Sequence, residues 1–509
     1  MSFLRLLAAL WLVLASAPAM ADWHRATSRH FVIYSDQPAD GLKAYAEKLE
    51  RFDQAVRSAR AMKDPPLSEA GKLKVYVLRD PQAVEKILGA EGSGIYGFYI
   101  PQASGAVAFV NRARTRDKFE LDGQAVFFHE YLHHLMLQDL DSSMPAWLVE
   151  GFAEFFATAQ IADDGSVVLG HVPEYRSWGL FNLKGLTIEE MLGANDRHID
   201  EDEWELTYGR GWLLTHYLTF EKSRRGQLGR YIQGIRRGET PLASAQAAFG
   251  DLKQLNRELD QHLRKKRHSG IVIPATKITV GQIDVRPLGA GEAAALPVQM
   301  KLAIGYNKKA LGRVLSDARG LAKRHPGEPT VLAALAEAEY ETDNFDRALA
   351  AADQALALAP NLRPAMIVKG RALVELGRRD RARANWKEAR SWLTRANRLD
   401  PDDAAPLLYF YQSFGAEGVP ATRNAVQGLI YAQALVPQDK TVRRLLVRQM
   451  IADSKLAEAG KLYESIAFDP HAGKAREQRL KVLAALRSGK AQEALAALDA
   501  LAKKEEKES

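Results

Sequence analysis

Residues His129-Glu130-Tyr131-Leu132-His133 place two imidazoles and a carboxylate within one turn of chain. On an α-helix, positions i and i+4 share a face, so both rings can reach one metal ion. Glu130 is displaced by about 100° around such a helix. That offset sets its carboxylate beside the open coordination position and not on the metal. Val126, Phe127, Phe128, Leu132 and Leu135 are apolar and fit a buried helix. A five-residue pattern recurs by chance, so a third ligand has to decide.

That ligand is found after a further sixteen residues, 134–149, which are enough to turn and begin a second helix. The new segment reads Trp147-Leu148-Val149-Glu150-Gly151-Phe152-Ala153-Glu154-Phe155-Phe156. It carries two carboxylates four residues apart on an otherwise apolar helix, and burying either one unpaired is costly. Coordination of Zn²⁺ by Glu150, with a ligand imidazole hydrogen-bonded to Glu154, satisfies both. Pairing with nearby Arg or Lys satisfies them too. Two imidazoles and a carboxylate suit zinc, with manganese and cobalt as substitutes.

Phe127 to Phe156 resembles the gluzincin metallopeptidases, particularly the peptidase-MA-like proteins that share a W-L-x-E-G-x-A-E signature with aminopeptidase N relatives. The resemblance implies one Zn²⁺ held by His129, His133 and Glu150, and a peptide or protein as substrate. The expected chemistry is hydrolysis by a zinc-activated water with Glu130 as general base. Relatives carry Asn before the third ligand, where this chain has Val149. The likeness extends to Tyr208-Gly209-Arg210-Gly211-Trp212, because relatives place an oxyanion-stabilising tyrosine at the start of a later helix. Tyr208 is the candidate for that role, or else a core tyrosine with a satisfied hydroxyl. Arg210 and His216 are candidates for substrate contacts, while His30, His134 and His171 are read as non-ligands.

Aminopeptidases of this type use an upstream G-A-M-E-N strand whose glutamate holds the substrate's amino group. The nearest match is Gly105-Ala106-Val107-Ala108-Phe109, which lacks the acid. An edge strand there, led by Gly105, Ala106 and Val107, could still pair with an extended peptide. Without the anchor, the expectation is an endopeptidase.

These residues need a scaffold. His30 to Tyr34 and Leu73 to Leu78 read as strands around an amphipathic helix near 40–62, and Tyr96 to Phe109 as two further strands. Helices follow at Phe127–Leu137, Ala146–Gln160 and Tyr208–Ser223. The expected architecture is an α+β zincin-like catalytic domain over 22–265, then an extended connector, 266–288, whose alternating run Ile271 to Val285 is broken by Pro274 and Gly281. An all-α tetratricopeptide-like solenoid over 289–505 completes it. Pro326, Pro360, Pro401, Pro437 and Pro470 each follow a helical segment at intervals of 34, 41, 36 and 33 residues. An interval near 34 resembles the tetratricopeptide repeat. Ala336, Ala348 and Ala355 fall where paired helices touch, and the 41-residue interval has seven extra residues, assigned to Arg379–Arg398. Such an array presents a concave surface for a protein partner.

Residues 1–21 behave differently. Arg5 precedes the apolar run Leu6 to Ala15, and Ala19-Met20-Ala21 has the pattern of a signal peptidase site. This implies export to the periplasm or the extracellular space. No later run is long enough to span a membrane. The 509 residues hold no cysteine, which excludes disulfides and thiol chemistry. The net charge of +7 is spread over 70 basic and 63 acidic side chains, with no basic stripe for nucleic acid. Two readings therefore stand: an exported zinc peptidase, or an idle zincin-fold envelope scaffold that binds partners through its repeats.

Overall fold

The computed structural model describes residues 23–113, 115, 117–139, 144–183, 186–193, 200–469 and 475–508. The leader-like segment 1–21 and Pro470 lie outside the described residues.

The chain opens with β1 (His24–Thr27) and β2 (Phe31–Ser35), then α1 (Ala39–Arg60), β3 (Leu73–Leu78) and α2 (Pro81–Leu88). Next come β4 (Gly97–Ile100), β5 (Val107–Asn111), α3 (Gly123–Asp139) and α4 (Ala146–Ala157). A small hairpin, β6 (Gln160–Ile161) and β7 (Val167–Leu169), precedes α5 (Ser177–Asn182) and α6 (Ile188–Gly193). The long helix α7 (Glu201–Phe220) is followed by α8 (Gln227–Arg236), α9 (Pro241–Phe249) and α10 (Leu252–Leu263). Two late strands, β8 (Ile271–Ile273) and β9 (Asp284–Pro287), finish the front part.

Six strands form one mixed sheet in the order β4-β5-β3-β2-β1-β9. Pairing is parallel for β2 with β3 and for β3 with β5, and antiparallel elsewhere. Because side chains alternate along a strand, each strand serves two cores. Val75 and Val77 of β3 join Ala108, Val110, Phe52, Phe128 and Leu132 under α1 and α3. Tyr76 and Leu78 point the other way, joining Phe109, Val84, Leu296 and Met300.

One expectation is corrected here. The strand at 107–111 is interior, hydrogen-bonded to β3 on one side and β4 on the other, while Gly105 and Ala106 lie in the turn before it. Gly105, Ala106 and Val107 therefore offer no free edge, and the terminal strand is β4. The connector 266–288 carries two strands. β8 extends the sheet β6-β7-β8, and β9 closes the main sheet against β1.

Beyond it the chain is helical. The array begins with α11 (Ala290–Ile304), α12 (Lys308–Arg324), α13 (Pro329–Glu341), α14 (Phe345–Leu358), α15 (Arg363–Arg379) and α16 (Trp386–Leu399). It continues with α17 (Ala404–Glu417), α18 (Arg423–Leu435), α19 (Lys440–Ala452), α20 (Leu456–Ala467), α21 (Arg476–Arg487) and α22 (Ala491–Glu508). Consecutive helices pack as hairpins, and alternate ones also touch, as α13 with α15 and α15 with α17. This is a tetratricopeptide-like helical repeat architecture. Pro326, Pro360, Pro401 and Pro437 each follow the second helix of a hairpin, and Ala336, Ala348 and Ala355 are fully buried. The long interval is absorbed in two places: α15 runs 17 residues where α13 runs 13, and the link 380–385 is longer than 342–344.

The array is docked on the sheet. Leu296 and Met300 of α11 cover its second face. Further along, Asp400 accepts a hydrogen bond from the Ala70 amide at 3.1 Å, and Ala103 is buried among Ala404, Leu408, Leu429 and Val442. No described helix is long and apolar enough to cross a membrane.

Candidate metal centre

The two site helices form for different reasons. In α3, Phe127, Phe128, Tyr131, Leu132 and Leu135 are buried, leaving His129 and His133 one turn apart on its partly exposed face. Nearly every side chain of α4 is buried, as befits a helix apolar all round. The two run side by side, so His133 and His129 meet Glu150 and Glu154.

His129 Nε2 and His133 Nε2 lie 3.1 Å apart, and Glu150 Oε2 lies 3.2 Å from the first and 3.3 Å from the second. Three bonds of about 2.0–2.2 Å at tetrahedral angles hold their donor atoms about 3.3 Å apart. The donor set therefore fits a zinc-sized ion in both chemistry and spacing. Glu130, the adjacent carboxylate, is half-buried, and its charge acts on both Tyr99 and Tyr208.

Behind the triangle, Glu154 Oε1 sits 3.4 Å from His129 Nδ1. The same carboxylate accepts hydrogen bonds from Arg176 Nη2 at 2.8 Å and from the Tyr175 hydroxyl at 2.7 Å. Burial alone would raise its pKa. Arg176 and His129 outweigh that and hold it down to about 2. Burial likewise works against a charge on His129, but Glu150 and Glu154 push that imidazole up to about 10. The pocket is built to stabilise positive charge at this point.

Tyr208 stands beside the centre, its ring centroid 5.8 Å from that of His129. It lies within α7 and not at its start, because Asp200 caps the helix earlier, accepting the Glu203 amide in a capping box. Burial and the neighbouring Glu150 raise the phenol's pKa, so it stays protonated. Arg210 is directed elsewhere. Two residues on, it is turned by about 200° around the helix and donates to Asn256 Oδ1 at 2.5 Å. His216 is fully buried, 2.9 Å from His262 Nε2 and 2.8 Å from the Ser269 carbonyl. Burial holds its pKa down to about 3, so it is a neutral core histidine tying α7 to α10. Neither residue faces the centre, and both expectations of substrate contact are corrected.

The remaining histidines have other partners. His134 is buried, with Nδ1 2.8 Å from the Tyr99 hydroxyl. Among the described residues, His171 belongs to no histidine–carboxylate cluster of three or more, whereas His30 does, with Glu50 and Asp53. That cluster is already saturated. His30 Nδ1 donates to Glu50 at 2.8 Å and Nε2 to Asp64 at 2.8 Å, while Asp53 accepts Arg57 Nε at 2.8 Å and the Tyr131 hydroxyl at 2.7 Å. Tyr131 thereby ties the motif helix to α1.

Two features escape sequence reasoning. Arg176 lies in a short 3₁₀ turn, Glu174–Arg176, that no motif marks. The close crossing of α4 and α7 rests on Gly151 against Gly211, readable only once the helices are known to cross.

Residues 125–242 match the protein-family model described as "Protein of unknown function (DUF1570)". That span runs from the motif helix through Glu150, Glu154, Arg176 and Tyr208. No match is found among curated proteins. Similar solved structures include a thermophilic TPR protein of Thermus thermophilus, at 22% identity and TM-score 0.32, covering 38% of this chain and 97% of that one. MamA from Desulfovibrio magneticus RS-1 is similar at 15% identity and TM-score 0.27, over 36% of this chain and 98% of that one. The yeast Tom70 is similar at 15% identity and TM-score 0.29, over 65% of this chain and 71% of that one.

Proposed function

We propose that this chain is an exported zinc-dependent endopeptidase, with His129, His133 and Glu150 as metal ligands. The reading is carried by one observation, the triangle of two Nε2 atoms and one carboxylate oxygen with sides of 3.1, 3.2 and 3.3 Å. Zinc, when bound, supplies Lewis acidity and lowers the pKa of water. Glu130 takes the proton from the attacking water and returns it to the leaving amine. The Tyr208 hydroxyl, kept protonated, donates to the developing oxyanion. Glu154 holds His129 in the tautomer that offers Nε2.

Among the described residues, β4 is the terminal strand at the β5 end of the main sheet, and an extended peptide would pair with it. Tyr99 of β4 reaches His134 on the motif helix, so that strand lies along α3. Nothing in 105–109 supplies a carboxylate for a free amino terminus, which favours internal cleavage. Export rests on the leader-like pattern of residues 1–21.

The test is a zinc assay together with cleavage of a denatured protein, comparing the wild type with Glu130→Gln. Zinc in both proteins and cleavage only by the wild type supports the proposal. Equal turnover by the two removes Glu130 from the mechanism.

A second reading, an idle scaffold, is favoured by a cavity of about 440 Å³ on the array, lined by Tyr340, Arg371, Tyr409, Tyr411 and Gln449 among others. Zinc in both proteins with cleavage by neither points to that role.

A further inference from the structure

The geometry points to Arg176 as the positioning residue of the centre, one guanidinium that fixes both the carboxylate behind His129 and the ring of Tyr208. This inference rests on the metal-centre reading above.

Arg176 reaches the site from outside both ligand helices. Its Nη2 and Nε donate to Glu154 Oε1 at 2.8 and 3.2 Å, and its Nη1 donates to Glu205 Oε2 at 2.6 Å. The plane between those arms lies against the Tyr208 ring, with Cζ 4.4 Å from the centroid. Glu205 and Tyr208 are three residues apart on α7, so they share a face. One side chain therefore clamps α4 through Glu154 and α7 through Glu205, and packs on the tyrosine between them.

The chemistry of the clamp is specific to arginine. A planar fork can serve two carboxylates and still stack on an aromatic face, whereas an ammonium is a compact, strongly hydrated point charge. A cation against the ring face attracts the π-system and restrains the ring's tilt. On the other side, a carboxylate held in place fixes the orientation of the ligand imidazole and raises its basicity. Glu154 is almost wholly buried, and Arg176 balances its charge, so the fully buried Glu150 carboxylate is the one presented to the ion. Tyr175 adds a second restraint on Glu154 from the same turn. Arg176 contacts the Glu154 carboxylate and the Tyr208 ring, and it acts on the centre through them.

The test uses the full chain with Arg176→Met, Arg176→Lys, Tyr208→Phe and the Arg176→Met/Tyr208→Phe double variant. Zinc affinity is measured by competition with a chromophoric chelator, and the absorption spectrum of the cobalt-substituted protein reports ligand geometry. Arg176→Met is expected to weaken zinc by about 10- to 100-fold and to shift the cobalt spectrum. Its kcat is expected to fall more than its KM changes, and its effect on kcat should not multiply with that of Tyr208→Phe. Arg176→Lys should recover little of either.

Should Arg176→Met fail to fold, Glu205→Gln removes one arm only. It should lower kcat in the same direction, again without multiplying with Tyr208→Phe. Wild-type zinc affinity in Arg176→Met, or independent effects of Arg176 (or Glu205) and Tyr208 on kcat, overturns the inference and leaves the metal centre standing. A wild type that takes up no zinc overturns both.

Discussion

Gly151 packs directly on Gly211: a Cβ added to Gly151 would lie 2.4 Å from the Gly211 carbonyl carbon and oxygen. One of these glycines follows the third candidate ligand, and the other follows Tyr208 by three residues. Their contact brings Tyr208 up to the centre, because no other residue lets two helix backbones approach so closely. Gly151→Ala is expected to push α7 away from α4 and to destabilise the protein by about 1–3 kcal/mol. Denaturant melts check the stability, and the same samples should bind zinc more weakly than the wild type.

Removing the third ligand tests the triangle itself. Glu150→Ala should bind zinc at least about 100-fold more weakly, since three protein ligands are the usual minimum for a catalytic site. Chelator competition measures it. Unchanged affinity in that variant would exclude the carboxylate from coordination.

On the proposed mechanism, Tyr208→Phe separates binding from catalysis. Zinc content and KM should stay near wild type while kcat falls by about 10²- to 10³-fold, the usual effect of removing one oxyanion donor. Steady-state kinetics on a peptide cleaved by the wild type would show it. A fall in zinc content instead would assign the tyrosine a structural role.

The His30 network predicts a pH window for stability. Burial disfavours the His30 imidazolium, but Glu50, Asp53 and Asp64 raise its pKa above the ordinary 6.5. Its contribution is therefore complete below that value and is lost as pH rises through the raised one. Burial works the other way on Glu50 and Asp64, yet hydrogen bonds from His30 bring Glu50 below 4.5 and Asp64 from 3.8 to about 2. Their contribution is present above the unfolded values and is lost on acidification. Thermal melts of His30→Gln should show the largest deficit against wild type between about pH 4.5 and 6.5, narrowing towards alkaline pH. A deficit independent of pH would mean that His30 is held neutral.

Much of the centre is legible in the chain because it depends on local period. The i, i+4 spacing of His129 and His133 fixes a shared face, and an apolar helix bearing Glu150 and Glu154 needs something to satisfy both. The repeats are legible for the same reason, since prolines and small residues recur with the hairpin. What escapes is set by partners far away in sequence. In the run 105–109 only Val107, Ala108 and Phe109 fall in a strand, and nothing in their own residues tells interior from edge; β4, only four residues long, takes the edge. Arg210 and His216 share a helix with Tyr208 and face α10 instead, meeting Asn256 and His262, because α7 turns the side that bears Gly211 towards α4. Arg176 acts from a turn whose position follows from neither propensity nor period.

Ala103 sits under α17 to α19, and Leu296 and Met300 of α11 roof the second face of the sheet. A cut at residue 265 or 288, where composition invites one, would strip that roof and leave Phe109, Val84 and Ala103 facing water. A cut at 265 would also remove β9, baring the β1 flank for pairing with another chain. A shortened N-terminal fragment would be a sticky, self-associating product and not a miniature of the whole. For expression and purification the two halves form one indivisible piece, and the junction between them is the worst place to divide it.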